Sequence, residues 1–203
     1  DARLDFQYPN EVHLLGYQGS QHAGRPMSTG GGSLRRARRP VIMAGGGVIL
    51  SETAGELTAL AEKTGIPVVT TLMGKGAIPD SLPRTWDAGD ARQLCRQYGR
   101  IRLRPAAGVG VRFDERSTAK AGLFAPAARI VHFNVEPGEI NKIIPVQVAV
   151  PGDLKESLPL FSQLVEPLAE EFREQVVPWR EQAEEMKAEI PCSAQCLPGG
   201  IVP

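Results

Sequence analysis

The stretch RRPVIMAGGGVILSETAGELTALAEKTGIPVVTT, Arg38 to Thr71, decides the fold. Val41 to Ala44 is a short apolar strand, and Gly45, Gly46 and Gly47 follow it directly. Ser51 reads as the N-cap of a helix whose Ala54, Leu57, Leu60 and Ala61 share one face. Gly65 closes that helix, because a residue without Cβ adopts the left-handed cap at no steric cost. Ile66 to Thr71 is apolar almost throughout, as suits a strand buried on both faces of a parallel sheet.

The same rhythm continues downstream. A Gly-containing loop, LMGKGAIPD, spans Leu72 to Asp80. Ala106 to Phe113 reads as a strand, and Asp114 to Gly122 as a loop or short helix. Ala128 to Val135 reads as a strand, Glu136 to Lys142 as a short helix, and Val146 to Val150 as a strand. Gly152 to Val165 is a helix with Asp153 near its start and Pro159 as a potential bend. Strands alternating with helices predict an α/β fold with a parallel, doubly wound sheet, its core near residues 39 to 165. The flanks read differently. STGGGS, Ser28 to Ser33, has the composition of a flexible connector. Glu166 to Glu189 is charged and helix-prone, and reads as a solvent-exposed arm. The end, Ile190 to Pro203, is loop-like.

Bulk properties narrow the function classes. The 203 residues are 42% hydrophobic and 23% charged, with a formal net charge of zero. No global basic field favours nucleic acid or an anionic membrane, and no apolar run is long enough to cross a bilayer. The chain starts at Asp1 without a leader pattern, so it reads as a piece of a longer protein. Cys95, Cys192 and Cys196 carry no zinc spacing and read as free thiols. There is no P-loop, no G-x-S-x-G and no H-E-x-x-H, and His13, His22 and His132 are scattered. His132 falls in a strand pattern and reads as structural. No catalytic set and no metal set assembles.

Ligands of such folds bind beyond the carboxyl ends of the strands. Three places there stand out. Gly45-Gly46-Gly47 either lets a ligand approach backbone amides or makes a tight strand-to-helix turn. Thr70-Thr71-Leu72-Met73-Gly74 puts two hydroxyls at a strand end. In Gly110-Val111-Arg112-Phe113-Asp114-Glu115-Arg116, Arg112 and Arg116 could grip phosphates with Asp114 orienting one of them; the competing reading is a surface ion-pair cluster. One stretch breaks the pattern. WDAGDARQLCRQYGRIRLRP, Trp86 to Pro105, sets Arg92, Arg96, Arg100 and Arg104 four apart, which on a helix would make one cationic face. An RNA-binding helix is disfavoured by Gly99, by the β-branched Ile101 and by the few interleaved aromatics.

The segments Arg38 to Asp80, GVGVRFDERSTAKAGLFAPAARIVHFNVEPGEINK and VAVPGDLKESLP together resemble the central domain of the acetolactate synthase (acetohydroxyacid synthase) catalytic subunit. DFQYPNEVHLLGY fits the linker that leads into it. The resemblance implies a Rossmann-like sheet of about six strands with helices on both faces. It implies residues 1–37 as a linker from a thiamine diphosphate domain, 38–165 as the FAD-binding-type central domain, and 166–203 as a helical arm and linker towards a second thiamine diphosphate domain. It implies a small-molecule reaction, the joining of two pyruvates or of pyruvate and 2-oxobutyrate, by a homodimer or tetramer that can take a regulatory subunit. Nucleic acid and membrane are not implied as partners.

Carried over by position, the resemblance gives Gly45, Gly46 and Gly47 to the flavin nucleotide, Thr71 and Leu72 to a strand-end contact, and Gly110, Arg112, Asp114 and Arg116 to the FAD side. Glu139 and Asp153 are implied as further contacts. Asn134 stands where the family usually has an acidic residue. Thiamine diphosphate and Mg2+ are implied on the flanking domains, whose activating Glu and G-D-G motif are not in this sequence. The chain alone is therefore expected to be inactive and to retain no measurable FAD. The alternative within the superfamily is a central domain of another carboligase or decarboxylase that binds no flavin.

Between Asp80 and Gly108 the family carries a flavin-lining phrase, G-M-L-G-M-H-G, then an Ala-rich helix and D-L-L. Here that phrase is missing while the spacing is kept. Read one base later, the codons of Trp86 and Asp87 must give Gly, and each following junction admits the family phrase. The sequence reading is that Pro83 to about Ala107 is translated one base out of frame. A DNA read across this window without paired indels or an unusual intron boundary would refute it. The Arg ladder is then a by-product of misread GC-rich codons.

Overall fold

A computed structural model describes residues 30–32, 37, 39–79, 85–87, 104–118, 124 and 128–189. Six strands form one sheet: β1 (Pro40–Ala44), β2 (Val68–Thr70), β3 (Thr85–Asp87), β4 (Arg104–Val109), β5 (Val131–Asn134) and β6 (Val148–Pro151). Their spatial order is β3-β2-β1-β4-β5-β6, and every neighbouring pair is parallel. The chain therefore winds outwards from β1 in one direction and from β4 in the other. This is the doubly wound order 3-2-1-4-5-6 of dinucleotide-binding sheets, with its switch point between β1 and β4. The α/β reading of the sequence is what the chain builds.

Helices α1 (Gly46–Leu50) and α2 (Ala54–Thr64) follow β1; α3 (Glu115–Thr118) follows β4; α4 (Leu154–Val165) and α5 (Ala169–Glu189) follow β6. The sheet is packed on both faces. On one, Val131 and Phe133 join Leu57 and Leu60 of α2, Leu158 and Phe161 of α4, and Phe172, Val176 and Trp179 of α5 in a single core. Phe133 and Phe161 meet edge to face at 5.1 Å. A second cluster gathers Met43, Val111, Phe113, Ile130 and Ile144, with Phe124 against it. The alternation of a strand sets His132 and Asn134 on the face opposite to Val131 and Phe133.

The structure corrects several local expectations. The N-cap of α2 is Thr53, and Ser51 instead ends the unforeseen helix α1, its hydroxyl donating to the Gly47 carbonyl at 2.7 Å. Gly65 caps α2 as expected, in the left-handed region at φ 70°. Asp153 caps α4 as expected, accepting from the Lys155 amide at 2.9 Å, and α4 runs through Pro159 without a break. The strand read over Ala106 to Phe113 starts earlier and stops at Val109. Arg104 opens β4, so the four-residue Arg ladder does not continue on one helix to its last member. The rest of that ladder, most of the proposed out-of-frame window, the three Cys, His13 and His22 lie outside the described residues.

Two flanking segments are also more structured than their composition implied. Gly30 to Gly32 are helical rather than a loose connector, and Gly30 lies against Phe161 and Val131. Helix α5 is not a solvent-exposed arm. Phe172, Val176 and Trp179 recur at helical spacing and enter the core. Trp179 Nε1 donates to the Pro40 carbonyl at 3.3 Å, Arg39 stacks over its ring at 5.5 Å, and Arg173 Nε donates to the last-turn carbonyl of Lys63 at 2.9 Å. Burying one large aromatic side chain contributes about 2–3 kcal/mol of transfer free energy, so these residues bind α5 to the sheet.

Candidate functional site

All the strand-end residues singled out by sequence lie along the carboxyl edge of the sheet. Gly45–Gly47 follow β1, Thr71 and Leu72 follow β2, Gly110, Arg112, Asp114 and Arg116 follow β4, Asn134 ends β5 with Glu139 beyond it, and Asp153 follows β6. The first and third of these groups face each other across the switch point. There the backbones touch. The Gly45 amide donates to the Val109 carbonyl at 2.9 Å, and the Gly47 amide to the Gly110 carbonyl at 3.0 Å. A Cβ on Gly45 would overlap the Gly110 carbonyl oxygen and lie 2.7 Å from Val111 Cα; a Cβ on Gly47 would lie 2.7 Å from Gly110 Cα. Gly110 itself has φ 59°. The glycines at 45, 47 and 110 thus have a reason that involves no ligand: two turns cross at backbone distance. Two amides of the first turn are already bonded, and α1 has only five residues, so its dipole is small.

Thr71 turns inwards: its hydroxyl accepts from the Gly74 amide at 3.1 Å and caps the 3-10 turn Leu72–Gly74. Leu72 and Met73 point outwards and are 85% and 75% exposed. The sequence reading placed Met73 in this strand-end stretch without giving it a role. Its signal was available, since two large apolar residues directly beyond a strand end leave one of them without a core to enter.

Beyond β4 the chain takes an unusual path. The Gly110 amide still bonds the Phe133 carbonyl at 3.0 Å. Phe113, at φ 52°, then turns back into the second core cluster. It packs on Phe124 at 5.9 Å and edge-on to His132 at 4.8 Å, and it fills the space where a Cβ on Gly108 would be. A bulky side chain at positive φ stores strain that its burial offsets. Arg112, between these two turns, is exposed. Asp114 caps α3, accepting from the Ser117 amide at 2.9 Å and its hydroxyl at 2.8 Å. The Arg116 side chain lies outside the described part.

Asn134 is buried rather than presented at the edge. Its Nδ2 donates to the Val111 carbonyl at 3.1 Å, and its Oδ1 accepts from the Glu136 amide at 3.0 Å. His132, also buried, places Nε2 2.7 Å from the same carbonyl, so Nε2 carries the proton of the neutral ring. Burial pushes the imidazole below its usual value, against smaller opposing pulls from the Val111 carbonyl and the Glu139 carboxylate. The reading of His132 as structural agrees with this geometry. Glu139 pairs with Lys142 at 2.7 Å. Among the described residues no group of His, Cys, Asp and Glu could hold a metal ion, and no helix is long and apolar enough to cross a membrane.

Among the described residues the edge therefore combines backbone turns, the exposed guanidinium of Arg112 and exposed apolar side chains. Comparison with known proteins narrows this further. Residues 32–160 match the family model described as thiamine pyrophosphate enzyme, central domain. The chain is 34% identical, over its whole length, to an acetolactate synthase large subunit of Corynebacterium glutamicum, of which it covers 32%. Over 76% of its length it is 36% identical to an acetolactate synthase of Mycobacterium avium, covering 25% of it. Over 84% of its length it is 35% identical to an acetolactate synthase large subunit of Parasynechococcus marenigrum, covering 27% of that protein. It thus spans a third or less of the relatives it matches, with a match centred on the sheet just described; the chain belongs to the thiamine pyrophosphate enzyme central-domain family.

Proposed function

We propose that the chain is the FAD-binding central domain of an acetolactate synthase, which joins two pyruvates, or pyruvate and 2-oxobutyrate, in branched-chain amino-acid synthesis. The observation that carries this reading is the meeting of the β1 and β4 turns at the switch point of a 3-2-1-4-5-6 sheet, with Arg112 exposed beside them. In this reading Arg112 pairs with the diphosphate of FAD, as a guanidinium suits phosphate oxygens. Leu72 and Met73 offer apolar surface to a ring system. A Cβ on Gly46 would lie 3.1 Å from Met73 Cβ, so glycine keeps the turn low. Thiamine diphosphate and Mg2+ would be held outside this domain, and thiamine diphosphate supplies the carbon–carbon bond chemistry. The domain's own residues bind and orient. The isolated chain is accordingly expected to be inactive and to retain no measurable FAD.

A second reading has its own support: a structural central domain of another thiamine-diphosphate carboligase or decarboxylase, without flavin. Asp114, Asn134, Asp153 and Thr71 all spend side-chain hydrogen bonds on neighbouring backbone, as purely architectural residues would. One experiment separates the two. The full-length polypeptide is purified from a gene whose DNA has been read across Pro83 to Ala107. It is then denatured, and released flavin is measured by fluorescence. About one FAD per chain supports the first reading; absence of flavin supports the second.

A further inference from the structure

The turn that carries Arg112 is not held by the sheet. Among the described residues the backbone ladder between β4 and β5 ends at the Gly110 amide. From Val111 to Phe113 the chain passes between two left-handed residues, at φ 59° and 52°, and its grip on β5 comes from side chains. Both grips close on one atom. His132 Nε2 and Asn134 Nδ2, two residues apart on the same face of β5, reach the Val111 carbonyl oxygen at 2.7 and 3.1 Å. A carbonyl oxygen has two lone pairs, so this one is saturated. Each donor is itself fixed. The Asn134 amide is oriented by the Glu136 amide bonding its oxygen at 3.0 Å, and the His132 ring lies edge-on to Phe113 at 4.8 Å. Moving Val111 would break both bonds and unseat the Phe113 wedge, and Arg112 is the residue between them.

We infer that His132 and Asn134 are positioning residues for Arg112, holding the turn after β4 so that its guanidinium faces the diphosphate of the bound dinucleotide. This rests on the FAD reading above. It assigns Asn134 a role through Val111 rather than a direct contact with the ligand.

The test uses the full-length polypeptide from the verified gene, stripped of flavin and titrated separately with FAD and with riboflavin, which has no phosphates. Asn134→Ala removes the donor to the Val111 carbonyl together with the acceptor for the Glu136 amide; His132→Phe keeps an aromatic ring and removes the donor. Ile130→Val, immediately before β5 and in the core cluster of Val111 and Phe113, controls for reduced packing, and Arg112→Ala sets the full size of the effect. The expected result is that both clamp variants weaken FAD about tenfold or more, close to the loss in Arg112→Ala, with riboflavin affinity unchanged. Asn134→Ala should cost nothing further in an Arg112→Ala background, since residues that act through one another are not additive. Amide hydrogen exchange at Val111 to Phe113 should quicken in both variants and not in Ile130→Val. Equal weakening of FAD and riboflavin, quicker exchange with FAD affinity kept, or full additivity with Arg112→Ala would each overturn the positioning role. A wild-type polypeptide that binds no FAD overturns the FAD reading and the positioning role together. That outcome is distinct from failure of the clamp alone, where wild type and variants bind FAD equally.

Discussion

The chain holds two triplets of glycine, Gly30–Gly32 and Gly45–Gly47, alike in sequence and opposite in what surrounds them. Around the second, backbone closes in: the missing Cβ of Gly45 points at the Gly110 carbonyl and Val111 Cα, and that of Gly47 at Gly110 Cα. Around the first the neighbours are side chains or nothing. A Cβ on Gly30 would meet a Phe161 ring carbon at 3.1 Å, one on Gly31 would just touch Leu168 at 4.0 Å, and one on Gly32 would meet nothing within 4 Å. Side chains can shift by tenths of an ångström, whereas the backbone of a central strand end cannot without moving the sheet. Glycine is thus obligatory at the crossing of β1 and β4, and incidental in the segment before β1.

Substitution to alanine breaks or sharpens this contrast. Gly45→Ala is expected to cost at least about 3 kcal/mol or to abolish folding, because overpacking here has only backbone to displace. Chemical denaturation reads it, and a loss under about 1 kcal/mol would mean that the crossing is not rigid. Gly110→Ala should cost nearly as much, as it adds a Cβ 2.8 Å from Gly47 Cα at a positive φ. Gly30→Ala should cost about 1 kcal/mol, set by how far Phe161 can yield. Gly32→Ala should stabilise by up to about 1 kcal/mol, since helix propensity improves and the added methyl group has open space around it. If Gly32→Ala destabilised as much as Gly45→Ala, the contrast between the triplets would be void.

A gentler probe uses pH. The folded pKa of His132 is lowered, so the unfolded chain takes up a proton near its ordinary value of about 6.5 that the folded chain refuses. Stability contributed by neutral His132 is complete above that value and is lost as pH falls below it, down to the lowered folded pKa. The slope is at most about 1.4 kcal/mol per pH unit for one group. His132→Phe should flatten this part of the stability curve; an unchanged slope would show that His132 does not titrate between the two states.

Much of the architecture could be read from the sequence, for identifiable reasons. β1, β2, β5 and β6 are apolar runs ended by Gly, Pro, Thr or Asn, and Gly65 and Asp153 cap helices as their chemistry predicts. β3 was missed because it is three residues long and lies where the sequence pattern breaks. Helix α5 was misjudged because its apolar residues are sparse, although Phe172, Val176 and Trp179 stand at helical spacing and carried the signal. The Gly45 turn drew attention as a ligand approach, and its tight packing on Gly110 depends on a residue far along the chain. The location of the candidate site was legible, since strand ends of a doubly wound sheet share one edge. The roles were not. His132 and Asn134 bond a carbonyl 21 and 23 residues away, and no local pattern encodes such a partner.

The central claim is that the crossing of the β1 and β4 turns, with Arg112 beside it, is a dinucleotide site. It is tested most directly by titrating FAD into the flavin-stripped, full-length polypeptide and its Arg112→Ala variant. Saturable binding of about one FAD per chain, weakened about tenfold or more by Arg112→Ala, is the predicted result. Binding that ignores Arg112, or no binding by the unaltered polypeptide, would contradict it.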